Sequence, residues 1–406
     1  MKLEDLSLDN QCVLLRVDFN VPLDKDYNVT DASRIEAALP TIRFILEKGA
    51  RLVLMSHLGR PEKKLKEDGT MDRERFSLRH IVSTIHQLLG KPVQFVDDTI
   101  GDKVKEALAT LESGAVLLLE NTRFYKEEKK GDENFAKSLA SLADIYINDA
   151  FGAAHREHAS TATVAKFFPE NRKAFGFLMR KELESAQRLI SAAEKPYIAI
   201  IGGAKVSDKI LLLDRLVDLV DVLIIGGGMA FTLLKAQGAA VGSSLLEEDK
   251  LEVAKAFLDK AAAKGVKVLL PEDSVVADKF DNEAQCQIVS SFEIPDGWMG
   301  LDIGPKAQVA FQAAISKAKS ILWNGPMGVF EMNNFAAGTN SIAEAVAEAT
   351  EKGAFSLVGG GDSVAALHKA GKANAVSHVS TGGGATLELL QGNILPGVEA
   401  IQYAVL

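Results

Sequence analysis

A chain of 406 residues, 47% hydrophobic and 25% charged, has the composition of a globular protein and is too long for one ordinary core, so two domains are expected. The net charge of −9 argues against a general nucleic-acid binder. No run of 18 uninterrupted apolar residues predicts a membrane span, and MKLEDLSLDN is acidic where a signal peptide would be basic and then apolar. The only two cysteines, Cys12 and Cys286, lie far apart in surroundings that read as buried strand and loop; reduced thiols in a cytoplasmic protein are the expectation.

Taken in chain order, apolar runs of strand length alternate with stretches of helical periodicity. CVLLRVDF, ARLVLMSH, PVQFVDD, AVLLLE and DIYIND read as strands, with helices such as ASRIEAALPTIRFILEKG and FAKSLASLA between them. FGFLMRKELESAQRLISAAEKP, residues 175 to 196, is a long amphipathic stretch ending at Pro196 and predicts a connecting helix. YIAIIGG, DVLIIGGG, VKVLLPED, SILWNGP, AFSLVGGG and SHVSTGGG then repeat the strand pattern. Nearly continuous apolar strands alternating with helices imply parallel sheets covered on both faces. The fold class is therefore α/β, with two doubly wound (Rossmann-like) parallel-sheet domains: residues 1–175, an interdomain helix over 176–195, and residues 196–387. The end of the chain, about 388–406, includes LPGVEAIQYAVL, which is too apolar for a free tail and is expected to dock back on the first domain.

In an open parallel sheet, ligands bind beyond the carboxyl ends of the strands. In the first part those ends carry Asp18 and Asn20 of RVDFNVP, His57 and Arg60 of SHLGRP, Arg123 of ENTRF, and His155, Arg156 and His158 of AHREH, while Arg34 opens the first long helix. Of the 14 arginines 13 fall within residues 1–190, with Arg215 alone beyond. Any one of these arginines read alone is a surface ion pair. Four at one sheet edge suit a small, highly anionic ligand, because each guanidinium can grip phosphate or carboxylate with two N–H groups. Asp18 and Asn20 suit ligand hydroxyls or the orienting of a neighbouring arginine. His155 and His158 read as well as structural residues.

In the second part the strand ends carry glycine: GGAKVSDK, GGGMAF with Gly227, NGPMGVFE, GGGDSVA with Gly360 and Gly361, and TGGGATLE with Gly383. A glycine turn opening a helix aims backbone N–H groups at an anion. Neither GxGxxG nor GxxxxGK[ST] occurs among them. If a helix begins directly after Gly203, Lys205 and Lys209 share one face near its positive end. Asp362 is placed either to ligate Mg²⁺ on a nucleotide phosphate or to cap a helix. Ser363 is a candidate phosphate donor. Asn324 and Glu331 are candidates for base, ribose or phosphate, with Glu331 suited to ribose hydroxyls.

RVDFNVP, SHLGRP, ENTRF, NDAFGAAHR, GGAKVSDK, GGGMAF, LDIGP, WNGPMGVFE, GGGDS and STGGGA stand in the same order as in phosphoglycerate kinases, from about residue 12 to residue 390, and the chain resembles that family. The resemblance implies reversible, Mg²⁺-dependent transfer of phosphate from 1,3-bisphosphoglycerate to ADP, giving 3-phosphoglycerate and ATP in glycolysis, by a monomer with no nucleic-acid or membrane partner. It implies Asp18, Asn20, Arg34, His57, Arg60, Arg123 and Arg156 as phosphoglycerate contacts. For the nucleotide it implies Lys205, Lys209, Asn324, Glu331, Asp362 and Ser363. Arg34 and Lys205 are expected to flank the transferring group, helped by backbone N–H groups near Gly360 and Gly383, as two domains close about a hinge. Ser363 stands where the family often has threonine, and KKLKEDGTMDRERF matches nothing specific. Two rivals make distinct predictions. A nicotinamide-dependent dehydrogenase needs the GxGxxG fingerprint that is missing, and a regulatory nucleotide binder on a dead kinase scaffold predicts loss of Arg34, Lys205 or Asp362, all of which are present.

Overall fold

The computed structural model describes residues 1–401, which form two compact units: Met1–Leu183 with the chain end from Ile394, and Glu184–Asn393. The connecting helix, Phe177–Ser191, contains the division between them. Residues 388–393, expected with the tail, belong to the second unit, because the helix Gly384–Leu390 buries Leu390 in that unit's core. From Ile394 the chain packs on the first unit, where Gly397 N–H donates to the Ala154 carbonyl at 2.9 Å and Lys173 Nζ to the Ala400 carbonyl at 3.1 Å. Residues 402–406 of the expected docking segment lie outside the described residues.

The first unit is built on six parallel strands in the order Val93–Phe95, Val116–Leu118, Arg51–Met55, Cys12–Arg16, Ile145–Asn148, Lys173–Phe175. Val13, Leu14, Leu52, Val53, Leu54, Ile145 and Ile147 are fully buried, which is why the strands read as unbroken apolar runs rather than alternating ones. Each such side chain contributes about 1.5–3 kcal/mol by leaving water. The sheet starts at its centre, grows to one side and then resumes on the other, so its switch point lies between Cys12–Arg16 and Ile145–Asn148. Lys173–Phe175 is a strand the sequence pattern does not show; three residues opening on lysine carry no periodicity.

The second unit repeats the plan with the order Lys267–Leu269, Val222–Ile225, Tyr197–Ile201, Ser320–Asn324, Phe355–Gly359, His378–Val379, all parallel. Tyr197, Ala199 and Ile201 face one apolar cluster while Ile198 and Ile200 face another, so both sheet faces are covered. Its switch point lies between Tyr197–Ile201 and Ser320–Asn324. A three-stranded antiparallel sheet, Cys286–Ser290, Asp273–Ala277, Met299–Ile303, is an addition the alternating pattern does not predict. Cys286 accordingly opens an exposed strand and is not in a loop, while Cys12 is buried in a strand as expected; both thiols are free. The exposed strand keeps Ile288 in solvent, so it lacks the apolar-in, polar-out alternation that would reveal it.

Asp149 ties three elements of the first unit together. It follows Ile145–Asn148, is fully buried, and its Oδ1 accepts the Met179 N–H at 2.9 Å at the start of the connecting helix, while Oδ2 has no partner among the described residues. Burial pushes its carboxyl up to about 7, against the lowering pull of the Met179 N–H, the Thr41 hydroxyl and the Leu178 N–H. A carboxyl whose pKa is raised on folding binds its proton more tightly when folded. Its stabilisation is therefore full below the unfolded value and lost as pH rises through the folded one, a change on the order of a few kcal/mol. Asp149→Asn should keep the Oδ1 bond without the titration. Urea unfolding of the first unit from about pH 4 to about pH 8 should show the wild type losing stability relative to the variant. A pH-independent gap would contradict the burial argument.

Candidate active site

The basic side chains of the first unit converge at the carboxyl ends of its strands, beside the switch point. Asp18, just past Cys12–Arg16, is buried, and its Oδ2 accepts from Arg34 NH1 at 2.6 Å. Its other oxygen has no hydrogen bond among the described residues and lies 3.9 Å from His57 Nδ1. Asn20 Oδ1 accepts the Gly59 N–H at 2.7 Å, and Arg123 NH1 donates to the Gly59 carbonyl at 2.5 Å, so the SHLGRP turn is held from both sides. Arg156 Nε donates to His155 Nε2 at 3.0 Å. Arg60, next to Gly59 in this turn, is exposed, and among the described residues its side chain has no bond to the others.

Arg16 is absent from the sequence-based set. It is fully buried, donating from Nε to Ser160 Oγ at 2.8 Å, from NH1 to the Val17 carbonyl, and from NH2 to His57 Nδ1 at 3.0 Å. Behind it, Glu128 is completely buried and accepts both the N–H and the hydroxyl of Ser160. A charged residue inside the apolar run CVLLRV was the available signal for Arg16. Nothing in sequence pointed to Glu128 within KEEKK.

This cluster holds more positive charge than it neutralises. Burial, and then Arg16 and Arg156, bring the Arg123 guanidinium down to about 10. Its Nε is buried with no partner among the described residues. Burial, then Arg123 and Arg16, depress His57 far below its usual range and His158 to about 3, so both imidazoles are neutral at physiological pH. Crowded guanidiniums with an unsatisfied N–H have the chemistry to receive an anion.

In the second unit the glycine loops interlock at the switch point. Gly202 N–H donates to the Asn324 carbonyl at 3.0 Å, Met229 N–H to the Gly203 carbonyl at 3.0 Å, and Gly227 N–H to the Met327 carbonyl at 3.0 Å. A Cβ at Gly227 would come within 2.7 Å of the Gly203 carbonyl, and Gly227 has φ +69°, so only glycine fits this crossing. Gly360 and Gly383 stand at the N-termini of the helices Gly361–Lys369 and Gly384–Leu390, with φ +91° and +48°.

The loop after Tyr197–Ile201 corrects one expectation. The helix begins only at Ile210, so Lys205 and Lys209 do not share a helical face. Lys205 is exposed, with Glu247 and Asp249 as electrostatic neighbours. Lys209 is half-buried and donates to Asn324 Oδ1; burial lowers its ammonium, opposed by Asp208 and Asp362. Asn324 and Ser363 both make bonds within the protein. Asn324 is buried, with its Oδ1 on Lys209 and its Nδ2 donating to the Gly359 carbonyl at 2.9 Å. Ser363 is fully buried and its Oγ accepts the Gly325 N–H at 2.5 Å. Both tie loops together from beneath.

Above those loops lies a cavity of about 510 Å³. Gly203, Gly227 and Asp362 line one part, Glu331 stands at its wall, and Phe231, Leu245, Met299 and Leu301 supply apolar surface. Such a combination suits a flat base, a polyhydroxyl sugar and phosphates in sequence. Among the described residues no three His, Cys, Asp or Glu side chains form a metal cage. Asp362, exposed in the first turn of its helix, is a lone carboxylate, which fits a Mg²⁺ that takes most of its oxygens from phosphate and water.

The family model for phosphoglycerate kinase matches residues 3–393. The chain belongs to the phosphoglycerate kinase family. It is 52% identical over 402 residues to the cytosolic phosphoglycerate kinase of Nicotiana tabacum, covering 99% of this chain and 98% of that one. It is 53% identical to the phosphoglycerate kinase of Moorella thermoacetica, with 99% and 98% covered. The solved phosphoglycerate kinase of Coxiella burnetii superposes with a TM-score of 0.87 at 40% identity, covering 99% and 98%. The activity is therefore that of a glycolytic phosphotransferase acting on small-molecule substrates, with ADP and ATP as the nucleotides. Among the described residues no helix is long and apolar enough to cross a membrane.

Proposed function

We propose that the arginine cluster of the first unit holds the phosphoglycerate and the glycine loops of the second unit hold the nucleotide, in a cytoplasmic monomer. The observation that carries the first assignment is Arg123, desolvated among other cations with an unpartnered Nε. Arg34, Arg60, Arg123 and Arg156 grip the phosphate and carboxyl oxygens, Asn20 and His57 offer neutral polar groups, and Asp18 aims Arg34. In the second unit Lys205 meets the transferring phosphoryl group, Lys209 the nucleotide phosphates, and Glu331 the ribose. Asn324 and Ser363 act as positioning residues, holding Lys209 and the GGGDS loop in place.

Transfer breaks the bond between phosphorus and the acyl oxygen and forms one to a β-phosphate oxygen of ADP, or the reverse. Neither a carboxylate nor an ADP oxygen has a proton to lose at neutral pH, so no general base is needed. Catalysis is then positioning plus stabilisation of negative charge on the equatorial oxygens. Arg34 and Lys205 supply that charge, and backbone N–H groups near Gly360 and Gly383 add fixed dipoles. Asp362 would hold Mg²⁺, which neutralises phosphate charge when bound. Donor and acceptor must meet, so closure of the two units during turnover is part of the proposal. A coupled assay of ATP-dependent 3-phosphoglycerate phosphorylation tests it. Turnover should require added Mg²⁺ and should fall with Asp362→Ala through nucleotide KM and kcat, with 3-phosphoglycerate KM unchanged. Metal-independent turnover would sink the metal role.

A further inference from the structure

Three buried side chains from distant parts of the first unit form a chain that no step above uses. We propose that Glu128, Ser160 and Arg16 are positioning residues that fix His57 as the Nε2–H tautomer, so that it donates this N–H to an oxygen of the anion held by the arginine cluster. The proposal rests on the reading that the cluster binds phosphoglycerate.

The direction of every bond follows from what each group can do. Glu128 Oε2 accepts the Ser160 N–H at 2.9 Å and Oε1 accepts its hydroxyl at 2.6 Å. The hydroxyl hydrogen is thereby spent on Glu128, and the Ser160 oxygen is left as an acceptor for Arg16 Nε–H at 2.8 Å. With NH1 on the Val17 carbonyl, the guanidinium is pinned at two nitrogens, and NH2 reaches His57 Nδ1 at 3.0 Å. A guanidinium only donates. Nδ1 must therefore present its lone pair, and the ring proton resides on Nε2.

The alternative would be Nδ1–H facing the carboxylate of Asp18. That oxygen is unpartnered, yet lies 3.9 Å from Nδ1, beyond hydrogen-bond reach. Arg16 occupies the position that such a bond would need. Arg16, Glu128 and Ser160 are all fully buried, so none of them touches ligand directly and their effect must pass through His57. The groups around the ring are Arg16 at the end of the first strand, Asp18 just past it, Arg34 on its helix, Arg123 on its turn and His158. Burial, and then the cations, disfavour imidazolium, which is why His57 remains a neutral donor through the physiological range. A neutral N–H adds a directed bond without adding to the repulsion among the arginines.

Histidine ¹⁵N NMR on the full chain tests this, paired with calorimetric titrations of 3-phosphoglycerate and of ADP. In the wild type, His57 should show an unprotonated Nδ1 and a protonated Nε2, unchanged from about pH 6 to about pH 8. Ser160→Ala removes the acceptor that holds Arg16. It should admit the Nδ1–H tautomer and weaken 3-phosphoglycerate roughly tenfold, with ADP affinity unchanged. Glu128→Gln should act in the same direction, and the conservative Ser160→Thr should restore the wild-type tautomer. A wild-type ring with Nδ1–H, or an imidazolium, would overturn the relay. A tautomer shift in Ser160→Ala with unaltered 3-phosphoglycerate affinity would overturn the donor role. No binding of 3-phosphoglycerate to the wild type would instead remove the cluster's assignment.

Discussion

Arg34→Ala should lower kcat on the order of 10³-fold while leaving ADP affinity within about twofold, because a guanidinium that meets charge developing on a transferring phosphoryl group acts chiefly in the transition state. The structure makes this residue suited to the task. Arg34 NH1 is anchored on buried Asp18 at 2.6 Å, whereas its side chain keeps 34% exposure, so the head is aimed but not consumed. Removing it strips the Asp18 side chain of the only hydrogen bond it makes among the described residues, so a stability measurement must accompany the kinetics. Asp18→Asn then separates the roles. It keeps Arg34 but weakens its aim, and should reduce kcat by roughly tenfold. An Arg34→Ala enzyme that lost ADP affinity as fully as turnover would contradict the assignment.

Lys205→Ala is expected to produce a comparable loss in kcat, roughly 10²–10³-fold, with almost no change in stability. Lys205 is exposed, lies ahead of the helix beginning at Ile210, and has Glu247 and Asp249 as electrostatic neighbours. Lys209→Ala should differ in kind. That side chain is half-buried on Asn324, so its loss should raise nucleotide KM and loosen the loop that Asn324 also bonds at Gly359. Steady-state kinetics with both substrates varied, alongside thermal unfolding, separates the two lysines. Equal effects on KM and kcat from both would show that they act as one phosphate clamp, contrary to this account.

The parallel strands were legible because they are buried on both faces, and unbroken apolar runs such as CVLLRV and YIAII carry that signal by themselves. The edge strand Lys173–Phe175 and the exposed strand Cys286–Ser290 were not, since a strand that pairs at an edge or faces solvent need not be apolar. The residue types of the site were legible as arginines in one half and glycines in the other. Burial was not. Asn324 and Ser363 carry the same polar groups whether exposed or buried, and only the packing shows that both are buried and bonded to neighbouring loops. Helix phase failed at GGAKVSDK for a related reason. The turn after the glycines continues to Lys209 before the helix starts, so a four-residue spacing does not place Lys205 and Lys209 on one face. Arg16, Ser160 and Glu128 meet across 144 and 32 residues of sequence, a separation that periodicity does not bridge.

The partition of ligands between the two units is tested most directly by calorimetry on Arg123→Gln. Arg123 sits in the first unit with its Nε unpartnered among the described residues, and the cavity proposed for the nucleotide is formed wholly by residues of the second. The account predicts that 3-phosphoglycerate affinity falls by about two orders of magnitude, the loss of a charge-assisted grip, while ADP binds as in the wild type. Unchanged 3-phosphoglycerate affinity, or ADP affinity that falls in step with it, would contradict the assignment.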